Sequence, residues 1–322
     1  MYGGYVLKHK NIIERRYDIQ IKSMQEIQGG WSALAYRVIA ENGVFFLKAY
    51  EKHKHTAKAW INKIDEYMPV VMTLRENKKL CGRIVVPVLT VDSKYKIEDD
   101  DYVFILFPFI NGSTPGNDNL TEDEQICLAE IIAELHMYKE SDFQSYKNKE
   151  DFNTGICVKL SQLITQGCFQ DTGLHDVFTQ YSECLLDNIA EMNRLAKKLS
   201  CEKLEFVLCH TDLHGWNVLQ AEPLVLLDWE GLKIAPAEAD LFSFSEGFFF
   251  DYAWKTFLEF YQKDRPDYII NQDALTFYRL RRRLEDILEF AESVLFDELT
   301  MDERNISIDY LKKECIALQK NS

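Results

Sequence analysis

The segment VLCHTDLHGWNVL, residues 207–219, sets His210, Asp212 and Asn217 inside a stretch otherwise rich in core-forming side chains. LVLLDWEG then places a further carboxylate, Asp228, eleven residues after Asn217. A carboxylate taken out of water without a cation, a metal or strong hydrogen-bond donors costs several kcal/mol. A chain that carries such groups beside apolar runs must therefore end strands at them and bring partners to those ends. This requirement constrains the fold more tightly than any bulk property.

The 322 residues are long for one core and comfortable for two lobes, and 47% hydrophobic side chains suffice to build them. No apolar run reaches the roughly 18 residues of a membrane span. The start, MYGGYVLKHKN, lacks the apolar region and cleavage site of a secretory signal. Eight cysteines without a CxxC pair read as reduced thiols, not as a disulfide frame or zinc site. Together these features lead us to expect a cytoplasmic protein. The net charge of −15 argues against a nucleic-acid binder and mildly favours a cationic ligand.

Along the chain, YRVIAENGVFFLKAY holds two strand-like runs around Asn42-Gly43, a hairpin signal, with Gly29 and Gly30 just upstream. Residues 57–77 switch to helical spacing through Trp60, Ile61, Ile64, Met68, Val71 and Met72. RIVVPVLTV and DYVFILFPFI read as strands again. The first ~110 residues are thus expected to form a small sheet with one main helix. After the punctuated connector FPFINGSTPG, Thr121 and Glu124 make a capping box ahead of a helix with Leu128, Ile131, Ile132 and Leu135 on its apolar stripe. A long helix is expected over 174–199, and aromatic-rich helices over 241–296. The fold class is α+β and bilobal, with a β-rich lobe over 1–108 and a mainly helical lobe over 109–322.

The spacing of the polar residues matches a phosphoryl-transfer loop. Such chemistry needs a carboxylate to accept the acceptor hydroxyl's proton, an amide oxygen and a second carboxylate to hold magnesium, and a lysine to steady the phosphates. H-x-D with an asparagine five residues beyond the aspartate is the kinase catalytic-loop pattern, and Asp212 and Asn217 fit it. Asp228 takes the place of the later metal-binding aspartate, and magnesium favours such hard oxygen ligands. Lys48 in FFLKAY is the strand-borne lysine. It needs a carboxylate partner, for which the following helix offers Asp65 and Glu66. On a helical wheel Asp65 borders the apolar stripe while Glu66 points away, so Asp65 is the choice.

The ordered set of Lys48 in FFLK, FPFING, AEIIAELH, LCHTDLHGWNVL, LLDWE and APAEADLF resembles the aminoglycoside phosphotransferase family, which shares its bilobal fold with choline kinases and protein kinases. The similarity runs from about residue 18 to about residue 295. IQGG, FPFI and YRLRRRLEDI bring it nearest to the spectinomycin phosphotransferase branch. The resemblance implies ATP-dependent O-phosphorylation of a small hydroxylated molecule. It implies Asp212 as base, Asn217 and Asp228 as magnesium ligands, and Lys48 on the α/β-phosphates. It makes residues 28–33, with Gly29, Gly30, Trp31 and Ser32, the phosphate-covering loop. The Pro108 carbonyl and Ile110 N–H become the adenine partners. Glu285, Asp286 and Glu289 become candidates for an amine-bearing substrate. The chain departs from the kinase pattern in QGGWSALAY, which is not G-x-G-x-x-G, and in DWE for D-F-G.

Several of these residues also have plainer readings. His210 is expected to pack and hydrogen-bond the loop, His136 to be a satisfied core histidine, and Asp240 to anchor the catalytic loop. His214 is either a substrate contact or an exposed loop histidine, and Glu230 either a magnesium or substrate contact or a solvated carboxylate. Glu285, Asp286 and Glu289 would equally form a charged helix face with Arg281 to Arg283. Phe248 to Phe250 are core candidates on which a sugar-like substrate could stack. The overall expectation is a monomeric kinase using ATP and magnesium on an aminoglycoside or aminocyclitol such as spectinomycin. Its rivals are a kinase for choline, ethanolamine, homoserine or methylthioribose, and a non-enzymatic spore-coat-like relative.

Overall fold

Period-2 alternation builds the first sheet. The computed structural model describes residues 9–27, 33–166, 173–245, 248–250 and 254–320. Helix α1 (Lys10–Tyr17) precedes β1 (Ile21–Ile27), β2 (Leu34–Ala40) and β3 (Gly43–Glu51). The hairpin expected at Asn42-Gly43 is present, with Ala40 paired to Gly43. After α2 (His55–Ile61) and α3 (Ile64–Leu74), strands β4 (Ile97–Glu98) and β5 (Tyr102–Pro108) complete an antiparallel sheet of order β1-β2-β3-β5-β4. β3 is central, pairing β2 on one side and β5 on the other. On one face Leu47 and Ala49 join Ile13, Tyr17, Tyr36, Val38, Phe104 and Leu106 in a core cluster. Lys48 and Tyr50 therefore share the opposite face of β3.

Two expectations need correction here. The helical stretch after β3 is two helices, broken at Asn62-Lys63, where Lys63 N–H closes a tight turn on the Trp60 carbonyl. Asparagine is a weak helix former at that point. RIVVPVLTV does not form a ladder strand. Ile84 makes an isolated bridge to Leu226, Val88 N–H reaches the Leu106 carbonyl, and Pro87 between them has no N–H to donate.

The remaining elements are α4 (Glu122–Leu135), α5 (Gly155–Gln166), α6 (Leu174–Leu199), β6 (Val207–Cys209), β7 (Val218–Leu219), β8 (Val225–Leu226), β9 (Lys233–Ala235), α7 (Glu238–Leu241), α8 (Trp254–Asp264), α9 (Gln272–Phe296) and α10 (Met301–Lys320). The capping box at Thr121 and Glu124 opens α4, and α6 has the expected bounds. This is an α+β chain with a five-stranded sheet and a mostly helical C-terminal part. It divides into two compact units: residues 1–116 with 216–230, and residues 117–215 with 231–322. Among the described residues, no helix is long and apolar enough to cross a membrane.

Candidate active site

In the unit of 1–116 and 216–230, two short elements carry the metal-ligand candidates. β7 and β8 pair antiparallel with Val218 opposite Leu226, and Leu227 N–H donates to the Asn217 carbonyl at 2.8 Å. The register sets Asn217 opposite Leu227, beside Asp228 at the same end of the hairpin. Asp228 sits in the left-handed region, φ +60°, which aspartate tolerates better than most residues. An amide oxygen and a carboxylate are hard-oxygen donors of the type that suits magnesium, and the hairpin brings the two residues' backbones to one end.

Lys48 reaches this hairpin end from β3. Its Nζ lies 2.9 Å from Asp228 Oδ1 and 2.5 Å from Glu230 Oε1. Residues 180 positions apart in the chain thus converge. Burial pushes the lysine toward neutrality, but the Asp228 and Glu230 carboxylates outweigh it and hold the ammonium charged. Glu230 is itself buried, hydrogen-bonded to the Tyr50 hydroxyl, and burial with the Asp228 charge pushes its carboxyl upward. Tyr67 of α3 interacts electrostatically with the same charges. Asp65, the chosen helix partner for Lys48, is not that partner. It is 64% exposed and pairs with Lys96 at 2.8 Å, while Glu66 is exposed. The carboxylate-lysine pair comes instead from the 228–230 loop.

Pro108 ends β5 opposite Phe45, and Phe109 N–H is taken by the Val44 carbonyl. Across the trans peptide the Pro108 carbonyl points opposite to that N–H, away from β3. The expected phosphate loop, Gly29, Gly30, Trp31 and Ser32, lies outside the described residues.

In the unit of 117–215 and 231–322, β6 pairs with β9 and delivers the chain to the His210–Asp212 loop. Asp240 of α7 is fully buried, and its oxygens accept from His210 N–H at 2.9 Å and Thr211 N–H at 2.6 Å. Behind it His136 Nε2 lies 2.9 Å from Asp240, and His136 Nδ1 lies 2.8 Å from the Tyr261 hydroxyl. Burial keeps His136 neutral and Tyr261 protonated. Tyr261 O–H therefore donates to Nδ1, and Nε2–H donates to the Asp240 carboxylate. Cys209 lies in the same cluster, but the polar groups there already satisfy one another, so the assembly anchors the loop.

Thr211 adopts φ +68°, and its hydroxyl donates to the Gly231 carbonyl at 2.7 Å. A Cβ at Gly231 would meet Thr211 Oγ1 at 2.5 Å and the His210 carbonyl at 2.9 Å, so only glycine permits this approach. His210 is buried, and its Nδ1 accepts from Asp212 N–H at 3.3 Å. His210, His136 and Asp240 thus have the anchoring geometry expected of them. Replacing Asp240 with alanine should destabilise the protein by about 3–5 kcal/mol, because three buried donors lose their acceptor. Urea unfolding monitored by tryptophan fluorescence would measure this, and a loss under about 1 kcal/mol would contradict the anchoring role.

Asp212 is itself paired. Arg282 of α9 donates to its Oδ1 at 2.5 Å and to Asp286 Oδ2 at 3.0 Å, and His214 Nε2 lies 3.5 Å from Asp212 Oδ1. Burial would raise the Asp212 carboxyl, but Arg282, then His214 and His210, hold it well below the usual carboxylate range. The exposed Phe249 ring lies 5.3 Å from the His214 ring and 5.6 Å from the Arg282 guanidinium. Burial pushes Asp286 up to about 6 despite Arg282, and burial followed by the Asp286 charge pushes Glu289 up to about 7. Glu285 is half-exposed and faces Arg281 at 3.7 Å. The i,i+4 pairing read from the sequence is therefore real for Arg281–Glu285 and Arg282–Asp286. What sequence reasoning missed is that Arg282 also reaches Asp212. The available signal was three consecutive arginines on one helix, which at 100° per residue cannot all face water.

Residues 23–269 match the model of the phosphotransferase enzyme family to which aminoglycoside phosphotransferases belong. No curated protein sequence matches the chain significantly. Among solved structures, the chain is similar to a spectinomycin phosphotransferase in complex with ADP and spectinomycin, with a TM-score of 0.76, 21% identity and 97% of each chain covered. It is similar to a microcompartment-associated aminopropanol kinase at a TM-score of 0.67 and 14% identity, covering 98% of this chain and 97% of that one. It is also similar to the choline kinase LicA from Streptococcus pneumoniae at a TM-score of 0.61 and 15% identity, covering 99% and 100%. With most of the chain inside the family match, this protein belongs to the aminoglycoside phosphotransferase family and is a small-molecule phosphotransferase.

Proposed function

We propose that the protein transfers the γ-phosphoryl group of ATP to a hydroxyl of a cationic aminocyclitol such as spectinomycin. The observation that carries this reading is the grouping of Asp212 with Asp286, Glu289 and the Phe249 ring. A hydroxyl at Asp212 would give up its proton to a carboxylate already ionised, while an ammonium on the same molecule would be attracted to Asp286 and Glu289. The Phe249 face suits the apolar side of a cyclitol ring. Glu285 and His214 stand at the edge of this group as further substrate contacts.

Lys48 would steady the phosphate oxygens, and the Pro108 carbonyl and Ile110 N–H would take adenine. Asn217 and Asp228 fit magnesium, and the ion would neutralise charge developing on the transferred group. The protein is proposed to act as a cytoplasmic monomer.

The test is a phosphorylation screen with radiolabelled ATP over spectinomycin, other aminocyclitols, 1-amino-2-propanol, choline, ethanolamine, homoserine and methylthioribose. Spectinomycin should give the highest kcat/KM of the panel. Higher turnover of choline or another amino alcohol would overturn the substrate class while leaving the kinase reading intact. No turnover of any acceptor, with no thermal shift in millimolar Mg-ATP, would support a non-enzymatic protein.

A further inference from the structure

The lysine of the nucleotide site has an unusual anchor. α3 is the second helix after the lysine strand, and both of its carboxylates face away: Asp65 is committed to Lys96, and Glu66 is exposed. The buried face of α3 presents Tyr67 to the lysine cluster instead. The carboxylate that meets Lys48 besides Asp228 is Glu230, two residues further along the same loop. Its side chain is 8% exposed, and its Oε1 accepts from both Lys48 and the Tyr50 hydroxyl. Tyr50 stands two residues after Lys48 on β3, so the strand's alternation aims both donors at one acceptor.

From this geometry we infer that Glu230, buttressed by Tyr50, is the positioning residue for Lys48, in place of a carboxylate on the following helix. Asp228 then has one oxygen-bearing group to share between lysine and metal, while Glu230 holds the ammonium in place. Lys48 and the Tyr50 phenol occupy Oε1, which leaves only Oε2 of this buried carboxylate for any further ligand, so its first role is to hold the lysine. The consequence is that lysine placement depends on the 228–230 loop and not on the position or charge of α3. This inference rests on the kinase reading, since Lys48 is taken to meet phosphate.

The experiment measures ADP binding by calorimetry in EDTA, where no metal contributes, and repeats it with magnesium. Glu230→Gln should weaken metal-free ADP binding about tenfold, since the Lys48 ammonium loses an ionised partner and keeps only an amide oxygen to orient it toward the phosphates. The KM for ATP should rise with it, while the acceptor KM stays within about twofold. Tyr50→Phe should show a smaller change in the same direction, and Glu230→Asp should recover part of the loss. In a Lys48→Met background, Glu230→Gln should add less than about twofold, because the two act as one unit. Asp65→Ala and Glu66→Ala should bind ADP as wild type does.

Wild-type ADP affinity in metal-free Glu230→Gln, with a loss appearing only when magnesium is present, would overturn the anchor and make Glu230 a metal ligand. A tenfold loss in Asp65→Ala or Glu66→Ala would overturn it in favour of the helix. If wild-type protein bound no ADP under any condition, the kinase reading would fall and this inference with it.

Discussion

Asp212→Asn should lower kcat by about a thousandfold, within the range of about 10²–10⁴ typical of a general base, while ADP affinity stays within about twofold of wild type. The asparagine keeps the shape of the side chain and can still meet Arg282, but it cannot take a proton. Single-turnover measurements at saturating ATP and acceptor would separate this from a binding defect. Wild-type turnover in the variant would remove Asp212 from the chemistry. The pH dependence carries a second sign. Arg282 and the two histidines hold the Asp212 carboxyl below the usual range, so the base stays ionised as pH falls through the ordinary carboxylate region. The acid limb of kcat should therefore lie below that of an unpaired aspartate, and Arg282→Gln should move it upward. For stability the direction is the same. A carboxyl whose folded value is depressed favours the native state above its unfolded value, and that contribution is lost as pH falls through the folded one.

Asp228→Asn should reduce kcat/KM for ATP by at least about a hundredfold. Residues that merely support metal ligands already cost about 10–100-fold when changed, and Asp228 is the only carboxylate proposed to touch magnesium directly. Magnesium should no longer tighten nucleotide binding, so the thermal shift in Mg-ADP should collapse to that seen in EDTA. The unliganded protein should melt within about 3 °C of wild type, because Lys48 keeps Glu230 as a buried counterion. The two carboxylates around one lysine thus let stability and chemistry be read separately. Undiminished magnesium dependence in the variant would remove Asp228 from the metal site.

Much of this arrangement was legible in the chain itself, and the reasons are local. Alternation over YRVIAENGVFFLKAY with Asn42-Gly43 between the runs dictates the β2–β3 hairpin, because the turn chemistry and the side-chain period agree. The Thr121–Glu124 capping box sets the start of α4 through two reciprocal hydrogen bonds within four residues. Spacing placed Asp212, Asn217 and Asp228 at strand ends, since apolar runs on both sides leave such groups no other place. Lys48 was legible as a strand-borne cation that needed a carboxylate, and the structure supplies it with two.

What the chain alone left open was the choice among equivalent partners. The helix after the lysine strand offers Lys48 both Asp65 and Glu66, and a helical wheel favours Asp65, whereas Glu230 reads from the sequence only as a metal or substrate contact or a solvated carboxylate. Only the packing of α3 with Tyr67 inward, and the presence of Lys96 beside Asp65, decides for Glu230. In the same way, local i,i+4 spacing accounts for Arg282 with Asp286 but contains nothing of Asp212, 70 residues earlier. Strand period, turn chemistry and caps act over a few residues and are written into the order of the amino acids. The identity of a buried charge's counterion depends on which distant surfaces meet, and that is settled only when the chain has folded.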